Sequence, residues 1–267
     1  MSVYGFIGTG NMGGALAEAV CRAVGPEQVL LNNRTAAKAE KLAERLGCTV
    51  ADAKTVAAQA DYLFIGVKPN GVEALVESVS SGLSGRGRPT VLVSMAAGIT
   101  IENVRKHAPN GCPVIRIMPN TPCSVGEGMI LYACSPDVTD AQKTEFLAAL
   151  SHAGRLLELP ENLIDAGSAV SGCGPAFVFL FLQALADGGV ACGLSRAAAL
   201  ELAAQTVRGS AALVMETGRH PDALKDAVCS PGGTTIEGVR SLEEAGFRGA
   251  VMDAVIASYE KTLKLKK

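Results

Sequence analysis

The 267 residues predict an α/β unit with a doubly wound, largely parallel sheet, followed by an all-α unit. Three observations predict it. The first half alternates short apolar runs with helical patterns, as βαβ units do. A glycine-rich turn joins the first apolar run to the first helical pattern. After about Pro160 strand signals stop and Ala-rich helical patterns take over.

Val3–Ile7 reads as the first strand and Met12–Val24 as a helix with small residues on one face. Gln28–Leu31 is the next strand, ending in Asn32-Asn33-Arg34, and Thr35–Leu46 sets Ala and Leu against Lys and Glu at helical spacing. Further strands are expected at Tyr62–Val67, Thr90–Ser94 and Pro113–Met118. Pro69 is taken to end the first of these and Pro119 the last, at the carboxyl edge where open α/β sheets bind ligands. Met129–Ala133 and Leu156–Leu159 add strands around a helix at Asp140–Leu150. The later helices are Leu163–Val170, Pro175–Cys192, Arg196–Thr217, Pro221–Val228, Thr234–Ala245 and Phe247–Leu265. Most are apolar on more than one face, above all Phe177–Leu185, so they are buried in this chain's core or against another chain. The expected division is 1–160, α/β, and 161–267, a helical unit that also dimerises. Lys261 to Lys267 reads as a basic helix end.

Apolar residues make up 48% and charged ones 19%, which places the chain among folded globular proteins. A net charge of −2, only 4% aromatics and no Trp give no footprint or stacking surface for nucleic acid. MSVYGFIG has neither a basic n-region nor a cleavage site. The longest charge-free stretch, Ala166 to Ala186, is interrupted by Pro175. The remaining Ala176–Ala186 falls short of the roughly 20 residues of a membrane span. No membrane partner is expected. Eight Cys with no CxxC pair and three His predict no metal site, and reduced thiols in a cytoplasm.

Gly8-Thr9-Gly10-Asn11-Met12-Gly13 fits GxGxxG, with the strand ending at Ile7 before it and a helix after it. Gly8 permits the tight turn, Gly10 lets backbone approach a pyrophosphate, and Gly13 lets helix pack on strand, so the unit reads as Rossmann-type and dinucleotide-binding. The second strand ends in Asn33 and Arg34 where an NAD site carries an acid. An arginine grips a 2′-phosphate through planar donors, which favours NADPH over NADH. Near the other end, Ser230-Pro231-Gly232-Gly233-Thr234-Thr235 opens a helix. By its own chemistry this is either an anion site on backbone N–H groups or a well-capped helix start.

Together these strings resemble the Δ1-pyrroline-5-carboxylate reductase family. The resemblance runs from FIGTGNMG (Phe6–Gly13) through GVKP (Gly66–Pro69), AAGI (Ala96–Ile99) and RIMPNTP (Arg116–Pro122). It continues through SGCGPAF (Ser171–Phe177) to HPDALKDAVCSPGGTTIEGVRSLE (His220–Glu243). The resemblance implies hydride transfer from NADPH or NADH to the C=N carbon of a cyclic imine, the small-molecule partner pyrroline-5-carboxylate, giving L-proline. It implies that Gly8–Gly13 holds the pyrophosphate and that Gly66, Val67, Lys68, Pro69, Ala96, Ala97 and Gly98 border the nicotinamide. It further implies that Ser230, Gly232, Gly233 and Thr234 hold the substrate carboxylate on backbone amides, while the Thr235 hydroxyl reaches the ring nitrogen as the catalytic group. A homodimer through the C-terminal helices is implied, with a decamer as a larger assembly.

A protonated imine is already electrophilic, so orientation and exclusion of water are what the protein must supply. His107, His152 and His220 stand in polar contexts and are not expected to be catalytic. The chain departs from the family pattern at Cys173 (usually Ser), Phe177 (usually Tyr) and Ala53 (often Asn, with Asp52 beside it here). The rivals are a hydroxyacid dehydrogenase or another imine reductase on the same plan, an inactive dinucleotide-binding protein, and an interaction module. The helical core Ala166–Leu213 has no Lys to act as the proton donor of a hydroxyacid dehydrogenase.

Overall fold

The computed structural model describes residues 1–84 and 88–265. They form two compact units, one made of 1–173 with 258–265, the other of Gly174–Ala257. Lys266 and Lys267, the tip of the expected basic helix end, lie outside the described residues.

The first unit is built on strands β1 (Tyr4–Ile7), β2 (Val29–Asn32), β3 (Thr49–Val50), β4 (Tyr62–Ile65), β5 (Val91–Ser94), β6 (Val114–Met118), β7 (Gly128–Cys134) and β8 (Gly154–Glu158). They lie in the order β3-β2-β1-β4-β5-β6-β7-β8. The first six are parallel to one another, and the order reverses between β1 and β4. That reversal is the switch point at which doubly wound sheets open a ligand crevice. β1, β4, β5 and β6 are buried along their whole length, because helices cover both faces of the sheet. This is why they read as unbroken apolar runs and not as alternation. In register across β1 and β4, Tyr4 stacks on Tyr62 and Phe6 on Phe64, with ring centroids 5.1 and 4.3 Å apart.

On one face lie α1 (Asn11–Val24), α2 (Ala36–Leu46) and α6 (Asp140–Ala149), with Leu16, Val20, Ala39 and Phe146 in a single core. A second core takes Val56, Val76, Val104 and Ile164 from α3 (Ala53–Gln59), α4 (Val72–Leu83), α5 (Ile101–His107) and α7 (Ile164–Ser171). One expectation needs correction: Pro69 does not end a strand, because β4 stops at Ile65 and Pro69 instead starts a short 3-10 turn over Pro69–Gly71. The sheet is largely parallel as expected, with the β6–β7 pair antiparallel. The sequence pattern did not single out β3, α3, α4 or α5. Three of these are two or seven residues long, too short to carry a clear period.

The second unit is helical: α8 (Gly174–Ala191), α9 (Arg196–Thr217), α10 (Pro221–Ala227), α11 (Thr234–Glu244) and the first part of α12 (Phe247–Leu265). α8 and α9 pack through small residues. A Cβ on Gly189 would come within 3.3 Å of the Ala199 methyl, and Ala186, Ala199 and Ala203 make the small core. The expected exclusion of a membrane span on grounds of length is not met. Pro175 falls in the first turn of α8, where a missing N–H is tolerated, and only two residues separate α8 from α7. Glu161–Ala191 is a 31-residue stretch containing an 18-residue window of mean hydropathy 1.7, 11% of it buried, long and apolar enough to cross a membrane by length and composition.

Candidate active site

The register of the sheet sets four carboxyl ends in a row: Ile7 beside Asn32 and Ile65, and Ile65 beside Ser94. The loops that leave from these residues carry every cofactor-binding candidate of the first unit. Gly8 turns at φ +104°, and a Cβ there would meet the Gly66 carbonyl oxygen at 2.5 Å. A Cβ on Gly66 or Gly13 would run into the Gly8 carbonyl oxygen in the same way. These three glycines are therefore required by packing within the chain. Gly10 is not, since a Cβ there would meet nothing within 4 Å. Its freedom leaves open space against the start of α1, whose N-cap is Gly10 itself, with no side-chain cap and no acid in the first turn. Unpaired N–H groups at such a terminus attract an anion.

Thr9 is buried, and its Oγ1 has no hydrogen-bond partner. Its N–H donates to Asn33 Oδ1 at 3.1 Å, while Asn33 Nδ2 donates to the Thr35 carbonyl, so Asn33 ties the loop to the end of β2. Arg34 is exposed just before α2. An open cavity of about 540 Å³ lies alongside, lined by Thr9, Gly10, Asn11, Gly14, Lys38 and Lys41 among others. The two lysines were missed in the sequence, although their three-residue spacing on α2 places them on one helix face. The loop with its bare helix start, the orphaned Thr9 hydroxyl and these cations fit a dinucleotide phosphate.

At the neighbouring strand ends Gly66 and Val67 are half-buried, while Lys68 and Pro69 are exposed. After β5 the chain turns over Ala96, Ala97 and Gly98, with Gly98 at φ +75° and the Ile99 N–H on the Ala96 carbonyl. The Ser94 hydroxyl beside this turn is buried without a partner. Asp52, next to Ala53, serves the fold. It caps α3, accepting from the N–H groups of Lys54 and Thr55, and the Thr55 hydroxyl holds its carboxyl below the usual range.

Sequence reasoning also missed a buried ion pair. Arg116 of β6 is 1% exposed and meets Asp165 of α7 at 2.6 Å, with Glu161 at 3.5 Å. Glu161 in turn accepts from the Ile101 N–H at the head of α5. Asn120, in the same RIMPNTP string, donates to the Ser171 carbonyl and accepts from the Met129 N–H. The signal was visible, a lone charge inside an apolar strand, but not its partner 49 residues along.

In the second unit, Ser230-Pro231-Gly232-Gly233 forms a turn closed by the Gly233 N–H on the Ser230 carbonyl at 3.0 Å. Gly232 has φ +67°, as a type II turn requires after proline. A Cβ on Gly233 would strike the Ser230 hydroxyl at 2.3 Å. Gly233 caps α11 without a side-chain bond, which leaves the first N–H groups of α11 open, and Thr234 and Thr235 are exposed on that first turn. The structure thus brings Ser230, Gly232, Gly233, Thr234 and Thr235 together at one helix start. Of the histidines, His220 caps α10, His152 is exposed, and His107 lies 2.9 Å from Glu77. Glu73, Glu77 and His107 also gather within 4.8 Å of one another, on exposed or half-exposed positions.

Comparison with known proteins places this geometry in a family. A family model described as "Pyrroline-5-carboxylate reductase dimerisation" matches residues 161–265, and one described as "NADP oxidoreductase coenzyme F420-dependent" matches residues 3–98. A pyrroline-5-carboxylate reductase of Escherichia coli is 41% identical over 266 residues, covering 98% of both chains. The Synechocystis protein of that name is 40% identical over 262 residues, covering 96% of both. A solved Plasmodium falciparum pyrroline carboxylate reductase with NADP bound superposes at a TM-score of 0.86, with 31% identity over 100% of this chain and 98% of that one. With two compact units, each carrying an open helix start, and this likeness along its whole length, the chain belongs to the pyrroline-5-carboxylate reductase family.

Proposed function

We infer that this protein reduces Δ1-pyrroline-5-carboxylate to L-proline, using NADPH in preference to NADH. The observation that carries this reading is the likeness to reductases of one name over nearly the entire chain. When bound, NADPH supplies the hydride. Gly8, Thr9, Gly10, Asn11, Met12 and Gly13, following Ile7, hold its pyrophosphate on backbone N–H groups of the loop and α1. Asn33 fixes that loop, and Arg34 grips the 2′-phosphate that distinguishes NADPH. Gly66, Val67, Lys68 and Pro69, with Ala96, Ala97 and Gly98, border the nicotinamide and screen the reacting carbon from water.

Ser230, Gly232, Gly233 and Thr234 present backbone N–H groups to the substrate carboxylate at the head of α11, which fixes the ring orientation. The Thr235 hydroxyl bonds the ring nitrogen, holding the proton that makes the imine electrophilic and staying with the nitrogen as it becomes an amine. The functional division is 1–160 for the cofactor and 161–267 for substrate and dimerisation. The working form is a homodimer, with a decamer as a larger assembly, in the cytoplasm and without nucleic acid or membrane. A second copy covers the apolar helices, including the stretch long enough for a membrane.

The test is an initial-rate assay on the purified protein. Reduced-nicotinamide absorbance is followed as pyrroline-5-carboxylate is added, with NADPH and NADH in parallel and proline measured as product. Imine-dependent oxidation, faster with NADPH, is the expected result. Binding of NADPH without imine-dependent turnover would overturn the substrate assignment.

A further inference from the structure

Cys21 and Cys48 belong to none of the sites above, yet their sulfurs lie 3.0 Å apart, inside ordinary contact for two sulfur atoms. The arrangement is built from both sides. Cys21 is buried in the second half of α1. Cys48 follows α2, half-buried against the same core. Gly47 places it there: at φ +79° it caps α2 in the left-handed region, and the N–H groups of Gly47 and Cys48 both reach the Ala43 carbonyl. An ion pair between Glu18 and Arg45 joins the same two helices close by. No other pair among the described cysteines has sulfurs in contact.

We propose that Cys21 and Cys48 are a redox-modification site, closing into an intramolecular disulfide when the protein meets a low-molecular-weight disulfide such as oxidised glutathione. The bond needs the sulfurs to approach by about 1 Å, to the usual length of about 2.05 Å. Cys48 is the attacking group. The less buried of the two, it is held below the usual thiol range by the hydrogen bond it shares with Cys21, while the same bond, burial and Glu18 push Cys21 up. The Cys48 thiolate attacks one sulfur of oxidised glutathione, forms a mixed disulfide and expels a glutathione thiolate. Cys21 then gives up its proton and attacks the Cys48 sulfur, expelling the second glutathione thiolate. Two protein thiols are oxidised, one glutathione disulfide is reduced to two thiols, and the two protons leave with them. The closed bond clamps α1, whose other end bears the glycine loop, to the junction of α2 and β3.

The experiment incubates the full-length protein with oxidised glutathione, alkylates the remaining thiols and maps the peptides. The expected result is the loss of two free thiols, with Cys21 and Cys48 in one cross-linked peptide that dithiothreitol releases. The oxidised protein should melt roughly 5 °C higher, as closing such a loop implies. Cys48→Ser, checked by circular dichroism to be folded, should give neither the cross-link nor the shift. A lasting glutathione adduct on Cys48 without closure, oxidation confined to exposed thiols such as Cys192, or no loss of thiols at all would each overturn the proposal.

Discussion

Residues 1–173 bury Phe6, Phe64, Phe146, Leu16, Leu31 and Leu92 on the two faces of one sheet, whereas Gly174–Ala257 buries only the alanines 186, 199 and 203 among its described hydrophobic residues. The contrast is not one of composition. The helical unit is as rich in large apolar side chains, but leaves Phe179, Leu180, Leu202, Met215 and Met252 between 57% and 72% exposed. A sheet offers two broad faces that a few helices can cover. Helices that are apolar all round need more neighbours than a short helical segment supplies. An exposed surface of this kind marks an interaction surface. The first unit is complete in itself, and the second, on the proposed reading, acquires its core from another copy.

The contrast is broken most severely by placing a charge on the unpartnered helices. Leu202→Lys would be nearly silent if α9 faced water. Against a second copy the lysine is buried, and the expectation is loss of self-association in sedimentation velocity with activity down by at least ~100-fold. In the first unit Phe146→Ala should cost about 3–5 kcal/mol in urea unfolding, because Phe146 is wholly buried. Thr235→Ala tests the second unit's chemistry apart from its packing. Turnover should fall by about 10²-fold with NADPH affinity unchanged, as for loss of one proton-holding group, and an unchanged turnover would remove Thr235 from the mechanism.

Smaller effects sharpen the account of the glycine loop. Gly10→Val places its Cβ where nothing of the fold lies within 4 Å. Circular dichroism should therefore match the parent, while fluorescence titration shows NADPH binding weakened by about tenfold, or some 1.4 kcal/mol. Normal binding would mean that the open space at Gly10 is not where the cofactor lies. Last, Arg34→Asp should shift the NADPH/NADH rate ratio toward NADH, by about the 1.5–3 kcal/mol of a hydrogen bond to a charged group.

Much of this was legible because some strings dictate both conformation and chemistry. Gly8 and Gly13 announce a strand–turn–helix, and Ser230–Thr235 announces a helix start. The string GxGxxG already assigns Gly8 and Gly13 to the fold and Gly10 to the ligand, and the crowded Gly8 carbonyl and the open space at Gly10 agree with that division. What the string cannot tell is that Gly66, in a distant loop, packs against Gly8. Long-range partners were illegible for the same reason. Arg116 stands out in its strand, but nothing local names Asp165, and Cys21 and Cys48 carry no recognisable spacing. The direction of β7 was equally hidden, because an apolar run looks alike whichever way its neighbour points. Length misleads about the membrane because Pro175 does not end a helix; it sits in a first turn, where proline is tolerated.

Whether the helical unit owes its core to a second copy is tested most directly by sedimentation equilibrium with parallel circular dichroism over a wide dilution range. The expected result is a species of at least twice the chain mass wherever the helical signal is native, and loss of helix wherever the monomer appears. A monomer with full native helicity would contradict it.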